Sequence, residues 1–222
     1  MKCVALLSGG KDSVAAVEVA QGHGWDVPVG LRMVPEEDDA YMFHTPNLDL
    51  VVDVASCMGM ELVTASARPD PWEEVGDLER ALARIKEDFQ VDAIISGALA
   101  SEYQRTRIDR IGARLGLKTF APLWHKRAGT YMEGLVQAYD VRFSRVAADG
   151  LDASWAGARL DEARLAALRG MRLHEAGEGG EYETLVLDAP HYHKRIVIDD
   201  ASVEETASRS TWRVTNWHVE SK

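Results

Sequence analysis

The chain has 222 residues, 46% hydrophobic and 27% charged, with a net charge of −11. This is enough apolar material for one large domain or a domain with an appendage, and the acidic balance argues against tight binding to nucleic-acid phosphates. Two cysteines, Cys3 and Cys57, form neither a disulfide framework nor a CxxC pair. The first apolar run is only about five residues, so no signal peptide is expected, and no apolar run approaches the ~18 residues of a membrane span; a reduced, cytoplasmic protein without membrane or direct nucleic-acid partners is expected.

Strand-like and helix-like segments alternate through the first half. Residues 3–7 read as a strand and 12–23 as a helix; 27–34 is a second strand. Thr45-Pro46 has the form of a helix cap and first-turn proline. The helix after it is expected to reach Met60, with Leu48, Val51, Val52, Ala55 and Met58 on one face. A third strand follows at 61–66. The helix at 72–89 carries an apolar stripe of Val75, Leu78, Leu82, Ile85 and Phe89. A short apolar strand at 91–96 suits a buried parallel position. A helix at 101–115 and a short strand at 118–120 complete the series. The alternation predicts an α/β fold with a doubly wound, mostly parallel sheet over residues 1–125.

Residues 126–222 change character, and a smaller α+β domain is expected there. A helix at 131–139 and a strand at 141–146 precede a helix at 161–174. Strands at 183–187, 195–198 and 212–219 follow a glycine-rich stretch. His191 and His193 alternate on a strand-like run without a third ligand, so no metal is assigned to them.

The chemistry starts at Ser8-Gly9-Gly10-Lys11-Asp12-Ser13, between the first strand and the first helix. The glycines permit a sharp turn that presents backbone N–H groups. Those groups and the positive helix end favour an anion, Lys11 adds a full charge, and Ser8 and Ser13 add hydroxyls. The stretch is a phosphate nest by construction. It is not a Walker A loop, which needs four residues between its first glycine and Gly-Lys-Ser/Thr, nor the dinucleotide fingerprint, which lacks the lysine.

SGGKDS after a first strand resembles the PP-loop of ATP pyrophosphatases. The resemblance implies ATP as co-substrate, gripped at its pyrophosphate end while an acceptor attacks the α-phosphorus. Sulfur-transfer members use catalytic cysteines, and the two here are badly placed. Amidotransferase members carry a glutaminase domain, for which 222 residues are too few, so free ammonia is the expected donor. Magnesium would accompany ATP, with Asp12 a candidate ligand directly or through water.

Four further stretches are similar to one PP-loop family, the diphthine–ammonia ligases. They are Tyr41-Met42-Phe43-His44-Thr45-Pro46-Asn47, SGALASEYQRTRID (96–109), GLDASWAGARLD (150–161) and GEGGEYETLVLDAP (177–190). With the first loop they run from residue 8 to residue 190, and the chain looks like a short, archaeal-type form. The resemblance implies amidation of diphthine on elongation factor 2 with ammonia.

The same stretches supply candidate site residues. His44 contacts nucleotide or caps its own loop. Gly97, Ala98 and Leu99 follow the fourth strand, where open parallel sheets gather ligands; the alternative is an ordinary turn with Ser101 as N-cap. Tyr103 and Gln104 are candidates for substrate contact. Arg105 or Arg107 is expected to neutralise charge at the α-phosphorus. Arg110 and Arg114 read as solvent-side partners of Asp109 and Glu102.

Glu178, Glu181 and Glu183 crowd three carboxylates into six residues, which repel unless a cation visits. Diphthine's trimethylammonium is such a cation, and an aromatic face suits it. An acceptor pocket is therefore expected from these glutamates, Gly179, Gly180, Thr184 and Tyr182 or Trp155. Glu181 or Glu183 is a candidate to take a proton from ammonia. The bland alternative is an exposed acidic hairpin loop. Two rival functions keep the phosphate loop: another PP-loop adenylating enzyme, acting on tRNA or a small molecule, or a nucleotide sensor without chemistry.

Overall fold

Lys2–Leu6 forms strand β1 and Lys11–Gly22 forms helix α1, in a computed structural model that describes residues 1–35 and 47–222. His44 and the Thr45-Pro46 cap lie outside the described residues. β2 (Asp26–Pro35), β3 (Glu61–Ala67), β4 (Ala93–Ile95) and β5 (Lys118–Phe120) join β1 in one sheet of order β3-β2-β1-β4-β5. Every pairing in it is parallel. The order reverses direction between β1 and β4. At such a switch point the loops leaving the strand ends diverge and open a crevice for a ligand.

Helices α3 (Pro71–Phe89) and α4 (Glu102–Leu115) pack on this sheet. Leu78, Leu82 and Ile85 of the expected stripe are buried with Val4, Leu31 and Ile94 of the strands, while Val75 and Phe89 are partly buried at its ends. Burying each of these aliphatic side chains contributes roughly 1.5–3 kcal/mol. Asp70 caps α3 by accepting from the Trp72 and Glu73 amides at 2.9 and 3.1 Å. Gln90 ends the helix in the left-handed region at φ 54°.

Helix α2 is Leu50–Cys57, shorter than expected. Its buried residues are Leu50, Val51, Val54, Ala55 and Cys57, whereas Val52 is 51% exposed. The expected face was wrong at Val52 because the segment is apolar almost all round, so spacing alone did not single out the buried side.

The second sheet contains β6 (Asp140–Val146), β7 (Tyr182–Asp188), β8 (Lys194–Glu205) and β9 (Ser210–Ser221), in the order β7-β6-β9-β8 and antiparallel throughout. α5 (Ala128–Ala138) packs on β6 and on α6 (Glu162–Arg169). α6 stops at Arg169-Gly170 rather than running to His174. β8 is much longer than the expected 195–198. Its second half, Asp199 to Glu205, is mostly polar and exposed, with only Ala201 and Val203 apolar. Pairing with β9 makes it a strand.

Two compact units are present. Among the described residues one takes Met1–Ser8, 12–35 and Gly59–Trp124; the other takes Gly9–Lys11, 47–58 and His125–Lys222. The phosphate-loop triplet and α2 thus group with the antiparallel sheet. Asp53 of α2 accepts from the Trp217 indole at 2.8 Å, and Asn47 bonds the Trp212 carbonyl and the Val214 amide. The cysteines are free and buried, and burial pushes both thiols up to about 11. Among the described residues no helix is long and apolar enough to cross a membrane, and no His/Cys/Asp/Glu group is arranged to hold a metal ion.

Candidate active site

The loop after β1 is held locally by its two serines. Ser8 donates its amide to Ser13 Oγ at 3.3 Å, and the two hydroxyls lie 3.2 Å apart. Gly9 has φ +79°, a left-handed value that L side chains rarely adopt. The loop after β4 comes against the first turn of α1. A Cβ on Gly97 would stand 2.6 Å from the Asp12 carbonyl carbon and 2.7 Å from the Ser13 nitrogen. Only glycine permits that approach, so Gly97 brings the β4 loop backbone onto the helix N-terminus where the amides point outward. Ala98 and Leu99 are buried, so what they offer a ligand is backbone.

Ser101 caps α4 by accepting from the Gln104 amide at 3.3 Å, as the ordinary-turn alternative expected. Arg105 pairs with Asp109 at 2.7 Å and lies 5.6 Å from the Trp124 ring. Thr119 also donates to Asp109. Burial pushes the Asp109 carboxyl up, but the hydrogen bonds from Thr119 and Arg105 outweigh it and hold the group below the usual carboxylate range. Arg107 stacks on the Tyr103 ring at 3.1 Å and donates to the Tyr103 carbonyl at 3.2 Å. The expected partners of Arg110 and Arg114 are corrected: Asp109 takes Arg105, and Arg114 reaches Glu79 at 2.9 Å. The i,i+4 spacing places Arg105, not Arg110, on the Asp109 face.

In the second unit, residues 9–11 lie against β7. The Val186 amide donates to the Gly9 carbonyl at 2.9 Å, and the Lys11 amide donates to Thr184 Oγ1 at 3.1 Å. Lys11 is buried, with its ammonium 5.5 Å from the Tyr182 ring centre. Tyr182 meets Phe143 edge-on at 5.1 Å, and Phe143 meets Trp155 at 5.3 Å. The Tyr182 hydroxyl donates to the Glu175 carbonyl. Buried Tyr182 is thus fixed at both ends, whereas Trp155 is half-buried with the Arg164 guanidinium 6.0 Å from its ring centre.

The crowded carboxylates have protein partners. Glu181 accepts from the His174 and Gly179 amides, both at 2.8 Å, and so staples the loop before β7. Glu183 takes Arg145 at 3.1 Å. The expected mutual repulsion is therefore relieved inside the protein for these two. Gly180 sits in the loop at φ +79°, and Glu178 is half-buried beside it. Sequence reasoning missed Arg145 and the contact of β7 with the phosphate loop. The one signal for the second was the alternation Tyr182, Thr184, Val186, which puts three residues on one face of a strand.

A parallel α/β sheet with a glycine- and lysine-bearing loop after its first strand, and a glycine-built approach to the helix that follows, has the architecture of the PP-loop class. The comparisons with known proteins narrow the class. Residues 1–119 match the family described as diphthamide synthase N-terminal domain, and residues 122–220 match diphthamide synthase C-terminal domain. The chain belongs to the diphthamide synthase family, whose members are ligases forming a carbon–nitrogen bond. It is 33% identical to diphthine–ammonia ligase of Danio rerio, over 100% of this chain and 98% of that protein. It is 31% identical to diphthine–ammonia ligase of Homo sapiens, over 91% and 85%. The ligase of Schizosaccharomyces pombe is 33% identical over 94% of this chain, which spans only 38% of that longer protein.

Proposed function

We propose that the protein amidates the carboxylate of diphthine on elongation factor 2, using ATP and ammonia and giving diphthamide, AMP and pyrophosphate. The observation that carries the reading is the anion-binding loop at the switch point of a chain matched along nearly its whole length by the diphthamide synthase domains. Residues 1–125 supply the nucleotide-binding part and 126–222 the acceptor part.

The residues fit a bound pyrophosphate group. The N-terminus of α1, the turn at Gly9 and the ammonium of Lys11 offer donors and positive charge in a region that is largely buried. Ser8 and Ser13 add hydroxyls, and Gly97 to Leu99 lay backbone beside the first turn. In the first step a diphthine carboxylate oxygen forms a bond to the α-phosphorus. The bond from that phosphorus to the bridging oxygen breaks, and pyrophosphate leaves with the electron pair. Lys11 stabilises that departing charge, and Arg107 or Arg105 faces the α-phosphorus. In the second step ammonia attacks the acyl carbon of the adenylate. The carbon–oxygen bond to AMP breaks, and the surplus proton passes to a carboxylate, for which Glu183 and Glu181 are the candidates.

Trp155, Glu178 and the loop at Gly179, Gly180 receive the acceptor, with the aromatic ring of Trp155 suited to trimethylammonium. Asp12, in the first turn of α1, and the region of His44 complete the nucleotide contacts. Magnesium, when bound, neutralises phosphate charge, with Asp12 the residue placed to reach it directly or through water. Cytoplasmic location follows from the substrate.

The test is high-resolution mass spectrometry of elongation factor 2 bearing diphthine, after incubation with this protein, ATP and an ammonium salt. Replacing a carboxyl hydroxyl with an amine lowers the mass by about one unit, with one AMP and one pyrophosphate released per event. Loss of γ-phosphate with ADP as product overturns the reading. ATP binding with no acceptor-dependent pyrophosphate release favours a sensor.

A further inference from the structure

The segment Gly9–Lys11 runs antiparallel to the free edge of β7, Gly9 beside Val186 and Lys11 beside Thr184. β7 is the outermost strand of its sheet, and an outer strand leaves one row of backbone groups unpaired. Here the Val186 amide spends its hydrogen on the Gly9 carbonyl at 2.9 Å. The second link is made by a side chain. Thr184, 8% exposed, accepts the Lys11 amide at 3.1 Å in a buried hydrogen bond. Lys11 is the first residue of α1. Its amide is therefore one of the four that a helix N-terminus leaves without an intrahelical acceptor. Thr184 thus acts as an N-cap supplied from 173 residues away.

We propose that Thr184 is a positioning residue for the phosphate loop: its hydroxyl fixes the Lys11 backbone and thereby the direction of the Lys11 ammonium. Three neighbouring contacts support it. A Cβ on Gly9 would stand 3.3 Å from Leu185 Cδ1 and from Val51 Cγ2, so the turn is packed against β7 and α2. The Lys11 ammonium rests 5.5 Å from the centre of the Tyr182 ring. Tyr182 and Thr184 occupy the same face of β7, so one strand holds the backbone and the side chain of Lys11 at successive outward positions. The sequence pattern places Thr184 with the acceptor loop; the hydrogen bond assigns it to the nucleotide's outer phosphates.

This inference rests on the ATP-binding reading proposed above. The test compares T184V, which keeps the shape and removes the acceptor, with T184S, which keeps the hydroxyl. Titration calorimetry of the full chain measures Mg-ATP, pyrophosphate and AMP in turn. T184V is expected to weaken ATP and pyrophosphate about tenfold, the effect of leaving one buried amide unsatisfied. AMP, which lacks the outer phosphates, should bind as before, and T184S should restore ATP binding to within about twofold. Equal losses for ATP and AMP in T184V, with a lowered melting temperature, assign Thr184 a general structural role and overturn the proposal. So does wild-type ATP affinity in T184V, or failure of T184S to rescue. If the wild-type chain itself binds neither ATP nor pyrophosphate, the nucleotide reading fails before the Thr184 comparison begins.

Discussion

The two sheets differ in how their strands earn their place. The central strands β1 and β4 of the parallel sheet are short and apolar, with fully buried residues such as Val4, Ile94 and Ile95. Its stability comes from burial. The antiparallel sheet includes the long β8–β9 hairpin, whose outer residues are largely exposed. Cross-strand hydrogen bonds and charge pairs such as Arg213–Glu204 and His218–Asp199 hold it. Its strand β7 holds Gly9 and Lys11 through the Val186 amide and the Thr184 hydroxyl. Burial builds a scaffold that tolerates little change of volume, while a polar hairpin depends on pairing register.

The largest effect expected in either unit is at Lys11. Lys11→Ala should lower acceptor-dependent pyrophosphate release by at least about 100-fold in a coupled assay, since one preorganised donor at developing charge commonly contributes that much. A rate within threefold of wild type would remove the loop from the chemistry.

Two glycines then sharpen the comparison. Gly97→Ala forces a methyl against the backbone of Asp12 and Ser13 and should abolish most activity, with a stability loss of about 1–3 kcal/mol by denaturant titration. Gly157→Ala places a methyl 2.7 Å from the Trp212 ring at φ +80°. It should destabilise by a similar ~1–3 kcal/mol while leaving Mg-ATP affinity unchanged. Equal effects of the two on ATP affinity would mean that the site is less local than described.

Glu181→Ala removes the acceptor of two backbone amides. Amide hydrogen exchange at residues 174–179 should quicken about tenfold, with little change in the parallel sheet.

The smallest effects are in titration. Asp109 is held below the usual carboxylate range when folded. The unfolded group titrates near ~3.9, so its contribution is full above that pH and lost as pH falls through the lower folded value. Asp109→Asn should therefore destabilise slightly at pH 7, by under about 1 kcal/mol at so exposed a carboxylate, and progressively less as pH falls through the folded value. Both thiols, raised to about 11 by burial, should resist a disulfide reagent at pH 8 until denaturant is added.

Much of this was legible from the residues alone. The strand–loop–helix order of the first 120 residues follows from short apolar runs alternating with 3.6-residue stripes, and the stripe from Leu78 to Ile85 is buried as its spacing predicts. The loop at Ser8–Ser13 could be read as the turn between the first strand and the first helix because its signal is local: glycines, a lysine and a helix start within six residues. The outer half of β8 could not, because a polar strand owes its existence to a partner distant in sequence. Nor could the partners of Glu181 and Glu183, since repulsion among sequence neighbours says nothing of Arg145 or of backbone amides brought in by folding.

The sequence by itself determined the order of the first elements, the glycine- and lysine-bearing loop between β1 and α1, and the family. These depend on periodicity and on residues a few positions apart. Tertiary structure decided that Gly97 lies against the first turn of α1 and that Thr184 holds the Lys11 amide, because a contact between residues 85 or 173 positions apart exists only once the sheets have set their register.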